Sequence, residues 1–360
     1  MTATRTMSEP LSGLTTSQSA SPVLQGGVKR GSRSLEPKAP LKGGGGAPAG
    51  RPESFTPNIE SPATTAPRGV STARRLWRNG AVRFGACVLA LLVAGAAAAP
   101  WLGTIDPTLI DPASANLPPG TSAEFMTLGG DTFQHWFALG SDSLGRDLWS
   151  RMLYGARVSL AVGAGVALLA LAIGILLGLA AGYFRRLDGV IMRIMDGVMA
   201  IPGILFAITL IAVWQPSLAT IVIAIAVPEI PRVARLVRSV VLTIREEPYV
   251  EAAVALDTPA WKVLTRHILP NAIAPLIIQG TYVCAAAILV EAILSFLGVG
   301  MPPEIPTWGN IMAEGRTQFT QYPQSVLFPG LLLSFTVLAV NLLGDGLRDT
   351  LDPKFNKRGG

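Results

Sequence analysis

The sequence predicts an all-α integral membrane protein with six transmembrane helices, and three observations carry that prediction. Half of the 360 residues are hydrophobic and only 14% are charged, too apolar a balance for an ordinary soluble domain. The apolar residues gather into runs of the length that crosses a bilayer, about 20 helical residues for a hydrocarbon layer of roughly 30 Å. Arg and Lys gather at alternate ends of those runs, as they do where positive charge marks the cytoplasmic flank of a span. The net charge of +6 is therefore assigned to membrane orientation, and nucleic-acid binding is not expected. Cys87 and Cys284 fall inside apolar runs, while His135 and His267 are few and far apart, so neither a disulfide framework nor a metal site is expected.

Residues 1–75 are a basic extension rich in Ser, Pro and Gly, with the run Gly43–Gly46 and few bulky apolar side chains, and disorder is expected there. No apolar stretch of the secretory-signal kind occurs near its start. Such a tail either touches anionic headgroups or stands idle. Residues 76–140 hold the first span, about Phe84–Leu102, and an outer loop broken by Pro100, Pro107, Pro112, Pro118 and Pro119. Arg74, Arg75, Arg78 and Arg83 precede this span and place the N-terminus in the cytoplasm.

Residues 141–350 are the five-helix core. An amphipathic segment, Ser141–Leu160, has Trp149 and Tyr154 suited to the interface and leads into the second span, about Val158–Tyr183. Gly174, Gly178 and Gly182, four residues apart, leave one face of that helix without side chains, so a neighbouring backbone can approach closely. The third span, about Val190–Trp214, has Asp188, Arg193 and Asp196 as boundary charges at its start, spaced to pair along one face, and Pro202 in its first half. The fourth starts near Leu218 and meets Pro228 and Pro231, either of which kinks or ends it, before Arg232, Arg235, Arg238 and Arg245 emerge into the cytoplasm as a basic helix. The fifth runs from Asn271 to about Leu297 and contains Glu291, either a pathway group or the partner of a structural hydrogen bond to a neighbouring helix. An outer loop, with Pro302, Pro303, Pro306 and one short helix, leads to the sixth span, about Val326–Leu343. Arg348 and a tail over residues 351–360, with Lys354, Lys357 and Arg358, mark its cytoplasmic end, so both termini are expected inside.

Between the fourth and fifth spans, residues 246–270 form the longest amphipathic interruption. Pro248 opens a short helix that runs to Leu256. Asp257 ends it, Thr258 is the expected N-cap of a second helix with Pro259 at its first position, and that helix runs to about Ile268. Val250, Ala253 and Val254, then Val263, Leu264 and Ile268, recur at helical spacing, while Glu246, Glu247, Glu251, Lys262 and Arg266 supply charge.

The run Glu251-Ala252-Ala253, closed by Leu269-Pro270, resembles the coupling loop of the membrane subunit of ATP-binding-cassette importers. That motif has Gly where this chain has Asp257. Three further stretches are similar to the second permease of dipeptide, oligopeptide and nickel importers: HWFALGSDSLGRDLWSRMLYGARVSL from His135 to Leu160, VEAILSFLGVGMPPEIPTWGNIMAEGR from Val290 to Arg316, and LLGDGLRDTLDPK from Leu342 to Lys354. The resemblance spans residues 80 to 355. It implies a MetI-like permease fold of the type I importers in a bacterial inner membrane, forming a peptide pathway with a sister permease. It also implies two ATPase subunits, which use ATP and Mg, and an extracytoplasmic substrate-binding protein, with no cofactor bound by this chain. The docking residues it implies are Glu251, Ala252, Ala253, Asp257, His267, Leu269 and Pro270.

Catalysis is not expected. No glycine-rich phosphate loop ending in Gly-Lys-Ser/Thr occurs, nor does HExxH or GxSxG, so a membrane-embedded hydrolase lacks its motifs. The alternative function is a stand-alone ion-coupled secondary transporter with Glu291 carrying a proton. Such a carrier calls for inverted repeats and broken helices in both halves, a symmetry the sequence does not display.

Overall fold

The computed structural model describes residues 76–127 and 129–351; the expected tail contacts of residues 1–75 and the basic positions from Lys354 onward lie outside them. α1 (Gly80–Ala97) starts at Asn79, whose side-chain oxygen accepts from the Ala81 amide. The segment after it, expected as irregular loop, contains an antiparallel hairpin of β1 (Thr121–Met126) and β2 (Thr132–Phe137), with Thr121 opposite Phe137 and Met126 opposite Thr132. Phe125, His135 and Phe137 are buried together, and the Phe125 and Phe137 ring centroids lie 6.2 Å apart. Trp136 points out of the other face.

α2 (Leu148–Tyr183) is one continuous helix of 36 residues that takes in the amphipathic lead-in from Leu148 onward. Asp147 caps it, accepting from the Ser150 amide at 2.8 Å. Where one third span was expected, α3 (Arg185–Met199) and α4 (Gly203–Val213) stand at 83° to each other. Pro202 has no amide to donate and disfavours helical backbone at Ile201, so the run breaks there instead of continuing. α5 (Leu218–Arg245), capped by Ser217, passes through both Pro228 and Pro231 and is ended by neither. α6 (Pro248–Ala255) follows, then one helical turn (Ala260–Lys262), a π-helical segment (Val263–Ile268), α7 (Leu269–Phe296), α8 (Trp308–Gly315) and α9 (Gln324–Leu351).

Among the described residues, four helical stretches are long and apolar enough to cross a membrane, α1, α2, Ala260–Phe296 and α9, and a fifth joins them if the bent pair α3–α4 counts as one span. The expected six is not reached on that measure, because α5 carries Glu229, Arg232, Arg235 and Arg238 along its length.

Close backbone approach organises the bundle. A Cβ built on Gly174, Gly178 or Gly182 would lie 2.6, 2.5 and 2.6 Å from the Cβ of Val233, Val237 and Val241 respectively, so the glycine face of α2 is matched, residue for residue, by a valine stripe on α5. α1 and α9 meet the same way: a Cβ on Gly85 would be 2.5 Å from the Ala339 carbonyl oxygen, and one on Gly346 would be 2.5 Å from Cγ2 of Val82.

At the hairpin end, two of the family-like stretches turn out to be one contact. Arg146 Nε lies 2.7 Å from Asp142 Oδ2, its Nη2 pairs with Glu314, and Arg151 Nη2 lies 3.1 Å from the same carboxylate. Trp308 Nε1 donates to the Met152 carbonyl at 3.2 Å. Burial pushes the Glu314 carboxyl above the usual range, and the Arg151 and Arg146 guanidiniums oppose that without cancelling it.

Candidate functional site

The corner after α6 is built by a left-handed residue. Asp257 has φ of 55°, its amide donates to the Val254 carbonyl at 3.0 Å, and the Thr258 amide donates to the Ala253 carbonyl at 3.1 Å. These two bonds close a helix whose next residue is left-handed, a position where Gly costs least. α7 ends identically with an actual glycine: Gly298 has φ of 80° and donates to Ser295 at 3.0 Å, while Val299 donates to Leu294 at 3.0 Å. Thr258 is thus part of the closure, and not the expected N-cap; Pro259 occupies the cap with no side-chain bond.

Asp257→Gly is expected to stabilise the corner by about 0.5 kcal/mol, the left-handed penalty relieved less the extra entropy glycine loses on folding. Slower hydrogen exchange at the Thr258 amide is the readout. Unchanged or faster exchange would show that the aspartate makes no strain there.

Glu251 and Ala252 are exposed, Ala253 is half-buried, and the surface around them is apolar: Leu256 is 81% and Trp261 62% exposed. Glu251 lines a cavity of about 540 Å³ with Tyr183, Arg245, Val254 and Ala255. His267 is half-buried with its ring tilted against Tyr249, centroids 6.3 Å apart. Asn271 Nδ2 ties them together, donating to the His267 carbonyl at 2.7 Å and to the Tyr249 hydroxyl at 3.2 Å. Leu269 is half-buried and Pro270 exposed. The underside consists of Val250, Val263 and Ile268, all buried in the same apolar core as Val241 and Val237 of α5. A push on the exposed face therefore meets the helix bundle directly, with no soft layer between.

Glu291 lies far from this corner in sequence and is fully buried. Ser295 Oγ donates to its Oε1 at 2.8 Å and Ser159 Oγ to its Oε2 at 3.3 Å, so it bridges α7 to α2. Of the two readings of Glu291, this geometry supports the structural hydrogen bond.

The charges at the α3–α5 boundary are paired between helices. Asp196 Oδ1 lies 2.5 Å from Arg235 Nη2, and Asp188 Oδ1 lies 2.5 Å from Arg238 Nε. The spacing of Asp188, Arg193 and Asp196 had suggested pairing along one helix; the carboxylates instead meet arginines of α5. Sequence reading also passed over Glu229, whose carboxylate accepts from Arg232 Nη1 at 2.8 Å. No group of three or more His, Cys, Asp or Glu among the described residues is placed to hold a metal ion.

Comparison with known proteins gives two family matches. Residues 170–357 match the model for a binding-protein-dependent transport system inner membrane component, and residues 70–119 match that for the N-terminal transmembrane domain of oligopeptide transport permease C. A Brucella abortus protein named as a permease of a peptide transport system is 44% identical over 290 residues, 81% of this chain and 93% of that protein. A dipeptide transport system permease protein of Alkalihalophilus pseudofirmus is 40% identical over 63% of this chain and 74% of its own length. A glutathione transport system permease protein of Escherichia coli is 42% identical over 62% of this chain and 74% of its own length.

Proposed function

We propose that this chain, which belongs to the family of binding-protein-dependent transport system inner membrane components, is the permease subunit of an ATP-binding-cassette importer for short peptides. It lines the pathway together with a sister permease. Two ATPase subunits supply the energy, with ATP and Mg used there, and an extracytoplasmic binding protein delivers the substrate. The peptide class rests on the relatives, whose names cover peptides, dipeptides and glutathione.

The observation that carries the coupling role is the corner at Asp257. It presents an exposed apolar face, and its underside shares a buried core with α5. An ATPase surface seated on Ala252, Leu256 and Trp261 would transmit its movement to α5 and from there to α2. With this corner in the cytoplasm, the clustered arginines of α5 lie on the inner side, as the positive-inside rule requires. The hairpin end then faces the binding protein.

Ala252→Arg tests the docking. Ala252 is exposed, so the new side chain is accommodated in the free chain, whereas at the half-buried Ala253 the chain's own fold would be disturbed as well. In the complex the arginine would be buried without a partner, a penalty of several kcal/mol and a loss of docking affinity by orders of magnitude. The variant is expected to reach the membrane and hold its sister permease while losing the ATPase subunits and ATP-driven uptake. Retention of the ATPases with normal uptake would reduce this corner to a surface hairpin.

A further inference from the structure

We propose that Glu229 and Arg232 of α5 form a binding site for the two charged ends of a short zwitterionic peptide on its way through the membrane. The site deepens the peptide reading above and rests on it. Both side chains line a cavity of about 220 Å³ whose remaining walls are Gly203, Ile204, Ile225, Pro228, Ala286 and Val290, contributed by α4, α5 and α7. That is a small, apolar concavity with two convergent polar groups, the usual make-up of a small-molecule site.

The charges sit on the helix expected as the fourth span. At about 1.5 Å per residue, Glu229 and Arg232 lie roughly 16 and 21 Å along α5 from its start at Leu218, less than the roughly 30 Å a spanning helix covers. Ionisable side chains of spanning helices line pathways or pair with one another. Here they pair, Arg232 Nη1 lying 2.8 and 3.0 Å from the two carboxylate oxygens of Glu229.

This pair differs from its neighbours in what it holds. Arg235 and Arg238 reach carboxylates on α3, Asp196 and Asp188, and so fasten two helices. Glu229 and Arg232 are one turn apart on the same helix, and their bond fastens nothing to anything else. Arg232 is also 58% exposed against 14% for Glu229, so the guanidinium has free donors toward the open side. Pro228, in the cavity wall, has no amide, which leaves the Ala224 carbonyl without its helical donor.

Charge balance selects the ligand class. With no ligand, each of the two charges neutralises the other. A ligand bearing one net charge would part them and leave one uncompensated. A zwitterion can replace both contacts at once, its carboxylate taking the planar donor fork of Arg232 and its ammonium the carboxylate of Glu229, with no charge left unpaired. A short peptide with free ends has that chemistry.

The test compares Glu229→Gln, Arg232→Gln and the double variant in the full complex, reconstituted in proteoliposomes with its binding protein. Uptake of an equimolar dipeptide library is read by mass spectrometry, and assembly by the ATPase subunits that co-purify. If the pair only supports structure, either single change strands a charge, while the double change removes both and restores uptake. If it holds the peptide, the double variant assembles and yet loses uptake at least tenfold, no better than either single. Double-variant uptake at the rate of the unaltered complex would overturn the site. Failure of the unaltered, assembled complex to take up any dipeptide would overturn the peptide reading itself, and this site with it.

Discussion

Gly178→Leu is expected to keep the chain from accumulating in the membrane. A Cβ at that position would lie 2.5 Å from Val237 Cβ and 2.6 Å from the Ala234 carbonyl oxygen, both on α5. A rotamer change moves only the valine Cγ atoms; its Cβ is fixed to the α5 backbone and the carbonyl belongs to it, so both yield only if α2 and α5 move apart. Separation would undo the matching contacts at Gly174 and Gly182 as well, since one rigid helix face carries all three. Overpacking commonly costs about 1–3 kcal/mol, and a leucine against backbone lies at or beyond the upper end. That is a large share of a total stability of about 5–15 kcal/mol. Gly189→Ala is the control, because a Cβ there meets nothing within 4 Å. Val237→Ala removes only the Cγ atoms, the nearer at 2.8 Å, and leaves Cβ and the Ala234 carbonyl in place, so it should rescue Gly178→Ala little. The readout is membrane abundance and thermal stability of the purified chain. Normal yield of Gly178→Leu would mean the two helices are far looser than their contact distances imply.

That contact was legible in the sequence because small residues four apart mark a helix face whatever lies opposite; the identity of the opposing stripe, Val233, Val237 and Val241, was not. The corner at Asp257 was legible for the same local reason, since a residue placed where the motif has Gly points to left-handed backbone. Features that depend on tertiary contacts were not readable. Pro202 breaks the third helical run while Pro228 and Pro231 do not break the fourth, although all three carry the same chemistry. Pro231 is buried, and α5 is held along its length by α2 and α7, so the rest of its helix is retained through the missing bonds. The hairpin was missed because its strands alternate weakly: His135, and not an apolar side chain, stands between Phe133 and Phe137 on the inward face. Glu229 was passed over because the stretch that follows Pro228 was read for its arginines, and a carboxylate paired with one of them leaves no periodic signal of its own.

Arg151→Met is expected to destabilise the hairpin end by about 3–5 kcal/mol at neutral pH, the cost of breaking a buried ion pair by removing one partner. Asp142, Arg146, Arg151 and Glu314 form a balanced set of two carboxylates and two guanidiniums, with Arg151 fully buried and Glu314 mostly so. Without Arg151 the set has one carboxylate too many. The Glu314 carboxyl already stands above its ordinary range because burial outweighs the pull of the two arginines. Loss of Arg151 removes one of those pulls and raises it further. A carboxyl raised on folding contributes stability in its protonated form; that contribution is complete below the ordinary Glu range and is lost as pH rises through the folded value. The deficit of Arg151→Met should therefore shrink on acidification from neutral pH, as Glu314 takes up a proton. Arg151→Met combined with Glu314→Gln leaves only the balanced Asp142–Arg146 pair, so most of the stability should return and the acid-linked recovery should disappear. Thermal unfolding of the purified chain across a pH series decides the matter. A deficit of equal size at every pH, or a double variant as unstable as the single one, would mean that Arg151 acts through the volume it fills and not through its charge.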